Sequence, residues 1–66
     1  MNIRIYHTDM SGLQHFDPSP IHNMQEAQSY IEFMDKRFGN PPYRLKVDGI
    51  IVRQRRDFNK PSIIYC

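Results

Sequence analysis

Tyr43-Arg44-Leu45-Lys46-Val47-Asp48-Gly49-Ile50-Ile51-Val52-Arg53-Gln54-Arg55-Arg56 is the stretch that decides how this chain folds. Two alternating runs flank an Asp-Gly pair, the strongest short-range signal for a two-residue β-hairpin. The turn sets which residues face each other. Val47 then pairs with Ile50, Leu45 with Val52 and Tyr43 with Gln54, all on one face. Lys46 pairs with Ile51 and Arg44 with Arg53 on the other, with Arg55 beyond them. Apolar residues gather on one side and cations on the other. A three-residue loop including Val47 is the competing register. It would put Arg53 on the face of Leu45 and Ile51, and Val52 among the cations, so the two-residue loop is preferred.

Toward the N-terminus, Ile3 and Ile5 alternate with Arg4 and Tyr6, which predicts a strand over about residues 2–8. His7 continues the face of Ile3 and Ile5, and Thr8 that of Arg4 and Tyr6. Residues 9–22 hold Asp9, Ser11, Gly12, Asp17, Pro18, Ser19 and Pro20, and read as a long loop. Leu13, Phe16 and Ile21 are the apolar points that would pin it to a core. Asn23 is a favoured N-cap, with Glu26 at the capping-box position. Met24, Ala27, Ile31, Met34 and Phe38 then step by threes and fours as one apolar stripe, widened by Tyr30. Phe33 lies off that stripe. Lys36 and Arg37 suit the last turn, Gly39 the C′ position, and Pro41-Pro42 forbid continuation, which predicts a helix over 24–38. Past the hairpin, residues 57–61 read as a turn and 63–65 as a short last strand.

The pattern is β-α-β-β with a further strand at the end. It defines an α+β fold in which one helix packs on one face of a mainly antiparallel sheet of three to four strands. A chain of 66 residues makes a single domain, residues 1–66, with a thin stability margin. Its one cysteine, Cys66, forms no intramolecular bridge and fits a reducing compartment. The first residues lack an apolar h-region, and the longest apolar run, Ile63 to Cys66, is far short of the ~20 residues a membrane span needs. The expected location is the cytoplasm. Residues 1–42 carry three basic and five acidic side chains, and residues 43–66 carry six basic and two acidic. The basic third can orient an anionic partner.

Motifs for chemistry are few. His7, Asp9, His15, Asp17 and His22 are ligand types for a divalent metal, but their spacing matches no rigid arrangement such as HExxH. No nucleophile elbow and no glycine-rich phosphate loop is present. The sequence therefore predicts neither enzyme, cofactor nor metal. The candidate binding residues are Arg44, Lys46, Arg53 and Arg55 on one hairpin face, joined by Arg4 and Tyr6. Arginine grips carboxylate and phosphate bidentately. Like charges directly opposite, as at Arg44 and Arg53, are destabilising unless something anionic meets them. The ordinary reading of such a face is a solvated surface that guards against edge pairing. The functional reading is a small non-enzymatic accessory or inhibitory protein, of the kind phages and mobile elements encode. It would dock through the basic face or the 9–22 loop on the acidic surface of a larger protein. Nucleic acid is the alternative partner, and no membrane is implied. A second copy pairing at the last strand is a further expectation, and a metal enzyme on the His/Asp loop is the remotest.

Overall fold

Asp48 and Gly49 both take positive φ, 51° and 83°. This is the two-residue turn whose twist matches its flanking strands. Asp48 is held there by the N-terminus: its Oδ1 accepts from the Asn2 N–H at 2.8 Å, and its own N–H donates to the Asn2 carbonyl at 2.8 Å. The computed structural model describes residues 1–65; Cys66 lies outside them. In chain order the elements are β1 (Ile3–Thr8), β2 (Gln14–Phe16), α1 (Met24–Phe38), β3 (Tyr43–Val47), β4 (Ile50–Arg55) and β5 (Ile63–Ile64). The strands form one five-stranded sheet in the order β2-β1-β3-β4-β5, with every neighbouring pair antiparallel. The fold is thus α+β, with one helix on one face of an antiparallel sheet.

The sheet has five strands where the sequence predicts three to four. The extra one, β2, lies in the segment whose Gly and Pro content reads as loop. A side chain builds it. The Asp9 carboxylate accepts from the backbone N–H groups of Ser11 and Leu13 at 2.9 and 3.0 Å, and Gly12 supplies φ 87°. The chain therefore reverses and lies back along β1, pairing Tyr6 with Phe16 and Thr8 with Gln14. Of the three apolar points in this segment, only Ile21 packs on the core. Leu13 and Phe16 are exposed.

The hairpin register holds for its first two pairs, Val47 with Ile50 and Lys46 with Ile51. It then shifts by one residue. A β-bulge at Val52 makes Leu45 pair with Arg53, Arg44 with Gln54 and Tyr43 with Arg55. The predicted pairs Leu45–Val52, Arg44–Arg53 and Tyr43–Gln54 do not form. The three-residue-loop alternative fails at the turn, where Val47 pairs with Ile50, and at Val52, which packs against the core; only its placement of Arg53 on the face of Leu45 is seen, and the bulge produces it. What the bulge changes is everything beyond it: Arg53 and Arg55 move to the helix side and Gln54 to the open side.

Helix α1 is capped as its ends dictate. Asn23 Oδ1 accepts from the Glu26 N–H at 2.9 Å, and Gly39, at φ 74°, donates its N–H to the Asp35 carbonyl at 3.0 Å. Ala27 and Ile31 close on Ile3, Ile5, Tyr43 and Leu45 to form the buried core. Phe38 ends the predicted stripe but is exposed, with the Arg37 guanidinium 5.5 Å from its ring. Phe33, off the stripe, is exposed beside Tyr30, with ring centroids 6.4 Å apart.

Candidate functional site

With α1 on one side of the sheet, the other side is open, and alternation decides what it presents. Arg4, Tyr6 and Thr8 project there from β1. Lys46 stands opposite Arg4, and Arg44 opposite Tyr6, on β3. Phe16 stands opposite Tyr6 on β2. The rings of Tyr6 and Phe16 lie 5.7 Å apart, tilted by 49°. The Arg4 guanidinium sits 5.3 Å from the Phe16 centroid, and Lys46 Nζ sits 4.9 Å from that of Tyr6. The Gln14 side-chain oxygen, in the amide orientation that satisfies its neighbours, accepts from Arg44 Nε at 3.1 Å. A shallow depression lined by Asn2, Arg4, Tyr6, Lys46 and Gly49 opens at one end of this strip. A second, at the other end, is lined by Thr8, Arg44, Gln54 and Arg56 among others. None of the five strands contains an acidic residue.

Four of the six predicted binding residues, Arg4, Tyr6, Arg44 and Lys46, therefore come together. Arg53 and Arg55 do not. The bulge turns both to the helix side. Arg55 is buried there, with Nη1 and Nη2 donating to Asp35 Oδ1 and Oδ2 at 2.5 and 3.2 Å. Its Nε donates to the Lys60 carbonyl at 2.8 Å, and its guanidinium lies 5.3 Å from the Tyr43 centroid. It is a structural cross-link from sheet to helix to the 57–61 turn. The cross-strand like-charge pair is consequently Arg4–Lys46 and not Arg44–Arg53. Sequence reasoning missed Phe16. Its signal is faint: a three-residue strand shows no usable alternation, and only the Asp9–Gly12 turn chemistry hints at a reversal.

The histidine-aspartate set separates into three pairs: His7 with Asp17 at 2.7 Å, His15 with Asp9 at 2.6 Å and His22 with Glu26 at 3.1 Å. Among the described residues no group of three or more such side chains is placed to hold a metal ion. Asp17 is the most connected. It accepts from the Tyr30 hydroxyl and the Ser19 N–H as well as from His7. Burial pushes its carboxyl pKa up, but the hydrogen bonds from Tyr30, His7 and Ser19 together outweigh that and hold it well below the usual carboxylate range. An ionised carboxylate only accepts, so His7 Nε2 carries the shared proton. The same burial, with the bond to Asp17, raises the Tyr30 pKa. Asp9 is also held low, first by His15 and then by Ser11. The cavity beside His7, lined by Ile5, Tyr30, Met34 and Tyr43 among others, measures about 10 Å³. That is the lower limit for a single water. Asp17, bonded to His7 of β1, to Tyr30 of α1 and to the Ser19 N–H, fastens residues 17–19 to both elements.

Comparison with protein-family models, with curated proteins and with solved structures finds no match to this chain. Among the described residues no helix is long and apolar enough to cross a membrane.

Proposed function

We propose that this chain is a small non-enzymatic binding protein that docks its open sheet face onto an acidic surface of a larger protein. The observation that carries the reading is the strip of Tyr6, Phe16, Arg4, Arg44 and Lys46 on strands without a single carboxylate. Aromatic residues and arginine are what protein interfaces concentrate at their centres. The 9–22 segment belongs to the same surface, because β2 delivers Phe16 to it. An accessory or inhibitory role of the phage or mobile-element kind, exercised in the cytoplasm, goes with this reading.

The aromatic pair also favours a second reading, single-stranded nucleic acid stacked on Tyr6 and Phe16. Protein is preferred because the ring faces are already covered: Arg4 lies over Phe16 and Lys46 over Tyr6. A base must displace those cations to stack, whereas a carboxylate pairs with them where they are. The test is affinity capture from the host lysate with the wild type and with Arg44→Glu/Lys46→Glu as bait, with and without nuclease. A protein captured only by the wild type and indifferent to nuclease is the expected result. Capture that nuclease abolishes means nucleic acid, and equal capture by both baits removes the open face from the reading.

A further inference from the structure

The bulge that takes Arg53 and Arg55 off the open face gives it Arg56 instead. Gln54 stands opposite Arg44 on the open side, and Arg56, two residues on, follows it. Arg56 thus joins Arg44, Thr8 and Gln54 around the depression at the far end of the strip, which measures about 500 Å³. Most of its wall is held in place. Gln14 accepts from Arg44 Nε at 3.1 Å and also from Nη1, which fixes the plane of that guanidinium. Thr8 is half-buried, and Gln54 is buried with its amide nitrogen donating to the Tyr65 hydroxyl at 2.5 Å. Arg56 is exposed, and among the described residues no carboxylate pairs with it or with Arg44.

Two guanidiniums and a hydroxyl around one hollow have a definite complement. A carboxylate brings one charge and two oxygens, which a single arginine fork occupies. A phosphomonoester brings a charge of about −1.5 to −2 and three acceptor oxygens, enough for both arginines and Thr8. A free ion would leave most of the hollow to solvent, since one water takes only about 30 Å³. A nucleic-acid backbone fits worse, because it repeats its charge at every nucleotide. Past Thr8 and Arg56 it would run onto Asp9 and Asp57, which line the adjoining depression. We infer that the hollow between Arg44 and Arg56 receives a phosphorylated serine or threonine of the partner protein. The inference rests on the docking reading above and names the anion that reading leaves open. Thr8 and Arg56 thereby join Arg44 as binding residues, and the Asp9–Asp57 side limits the charge to a single phosphate.

The probe is a short fluorescein-labelled peptide with one central phosphoserine in an otherwise neutral chain. Anisotropy titration with the full chain at low ionic strength is expected to saturate below about 1 mM. The same peptide with serine or glutamate in place of phosphoserine should bind about tenfold more weakly or worse. Arg56→Gln should weaken the phosphopeptide about tenfold and leave the serine peptide unchanged; Arg56 is exposed, so this variant keeps the fold. Absence of saturation overturns the inference, as does binding indifferent to Arg56→Gln. Equal binding of the glutamate peptide overturns it in favour of carboxylates. Inorganic phosphate that displaces the peptide at an equal concentration overturns it in favour of a free anion, and an oligothymidylate that binds more tightly than the phosphopeptide does so in favour of nucleic acid. The docking reading fails separately. If capture from the lysate is lost with Arg44→Glu/Lys46→Glu but survives phosphatase treatment, docking stands and the phosphate falls.

Discussion

Arg55 and Arg44 sit on neighbouring strands, one residue apart in register, and leave the sheet on opposite sides. On the helix side Arg55 is 7% exposed, and all it touches is matched to it: a carboxylate, two backbone carbonyls and a tyrosine ring. On the open side Arg44, Arg4 and Lys46 find aromatic rings and amides but, among the described residues, no carboxylate. The residue types are the same and the physics differs. A cation whose charge is neutralised internally is part of the scaffold. A cation whose neighbours leave its charge unmatched is where an anionic partner has something to gain. Charge counted along the sequence does not separate the two cases; the pairing partner does.

The largest way to break this contrast is Arg55→Ala. Removing one member of a buried ion pair strands the other, at about 3–5 kcal/mol. Small domains hold only about 5 kcal/mol in total, so urea denaturation followed by circular dichroism should find much of this variant unfolded. Arg55→Met combined with Asp35→Leu should recover most of the loss, because no charge is then left behind. A cost below about 1 kcal/mol for Arg55→Ala would place Arg55 with the surface cations.

Asp17 extends the contrast to anions, since it too is matched from within. Its folded pKa is depressed, so its contribution is fully present above the unfolded value of ~3.9 and is lost as pH falls through the folded value. Asp17→Asn should cost about 2 kcal/mol at pH 7. Below about pH 4 the wild type should lose stability faster than the variant, and their denaturation midpoints converge. Parallel midpoints over this range would mean that Asp17 does not fasten the 17–19 segment.

How much of this was legible depends on how local its cause is. The Asp48-Gly49 turn, the Asn23 and Gly39 caps and the Ile3/Ile5 alternation are each decided within a few residues, and each forms where the sequence puts it. The bulge at Val52 is not local. Ile51-Val52-Arg53-Gln54 alternates equally well in either phase, and what favours the shifted phase is Asp35, 20 residues from Arg55, waiting beneath the strand. That is why the alternation shows Arg4, Tyr6, Arg44 and Lys46 as one face but predicts the wrong face for Arg53 and Arg55. Phe16 was hidden for a similar reason. The strand that carries it exists because the Asp9 carboxylate closes the turn before it, and three residues are too few to show a period.

The smallest expected effect sharpens the contrast most. Arg4 and Lys46 stand directly opposite each other, an arrangement that costs a few tenths of a kcal/mol or more. Lys46→Gln relieves that repulsion while giving up the contact with the Tyr6 ring, itself worth about 0.5–1 kcal/mol at an exposed site. The two nearly cancel, so stability in dilute buffer should change by no more than about 0.5 kcal/mol. Salt separates them. Repulsion between solvent-exposed cations is screened at high ionic strength, while the glutamine variant has little repulsion to screen. The wild type should therefore gain more stability than Lys46→Gln when sodium chloride is raised, measured as the difference between their urea midpoints. An equal response would mean that the charges on the open face are already compensated, leaving no electrostatic gain for an anionic partner to collect.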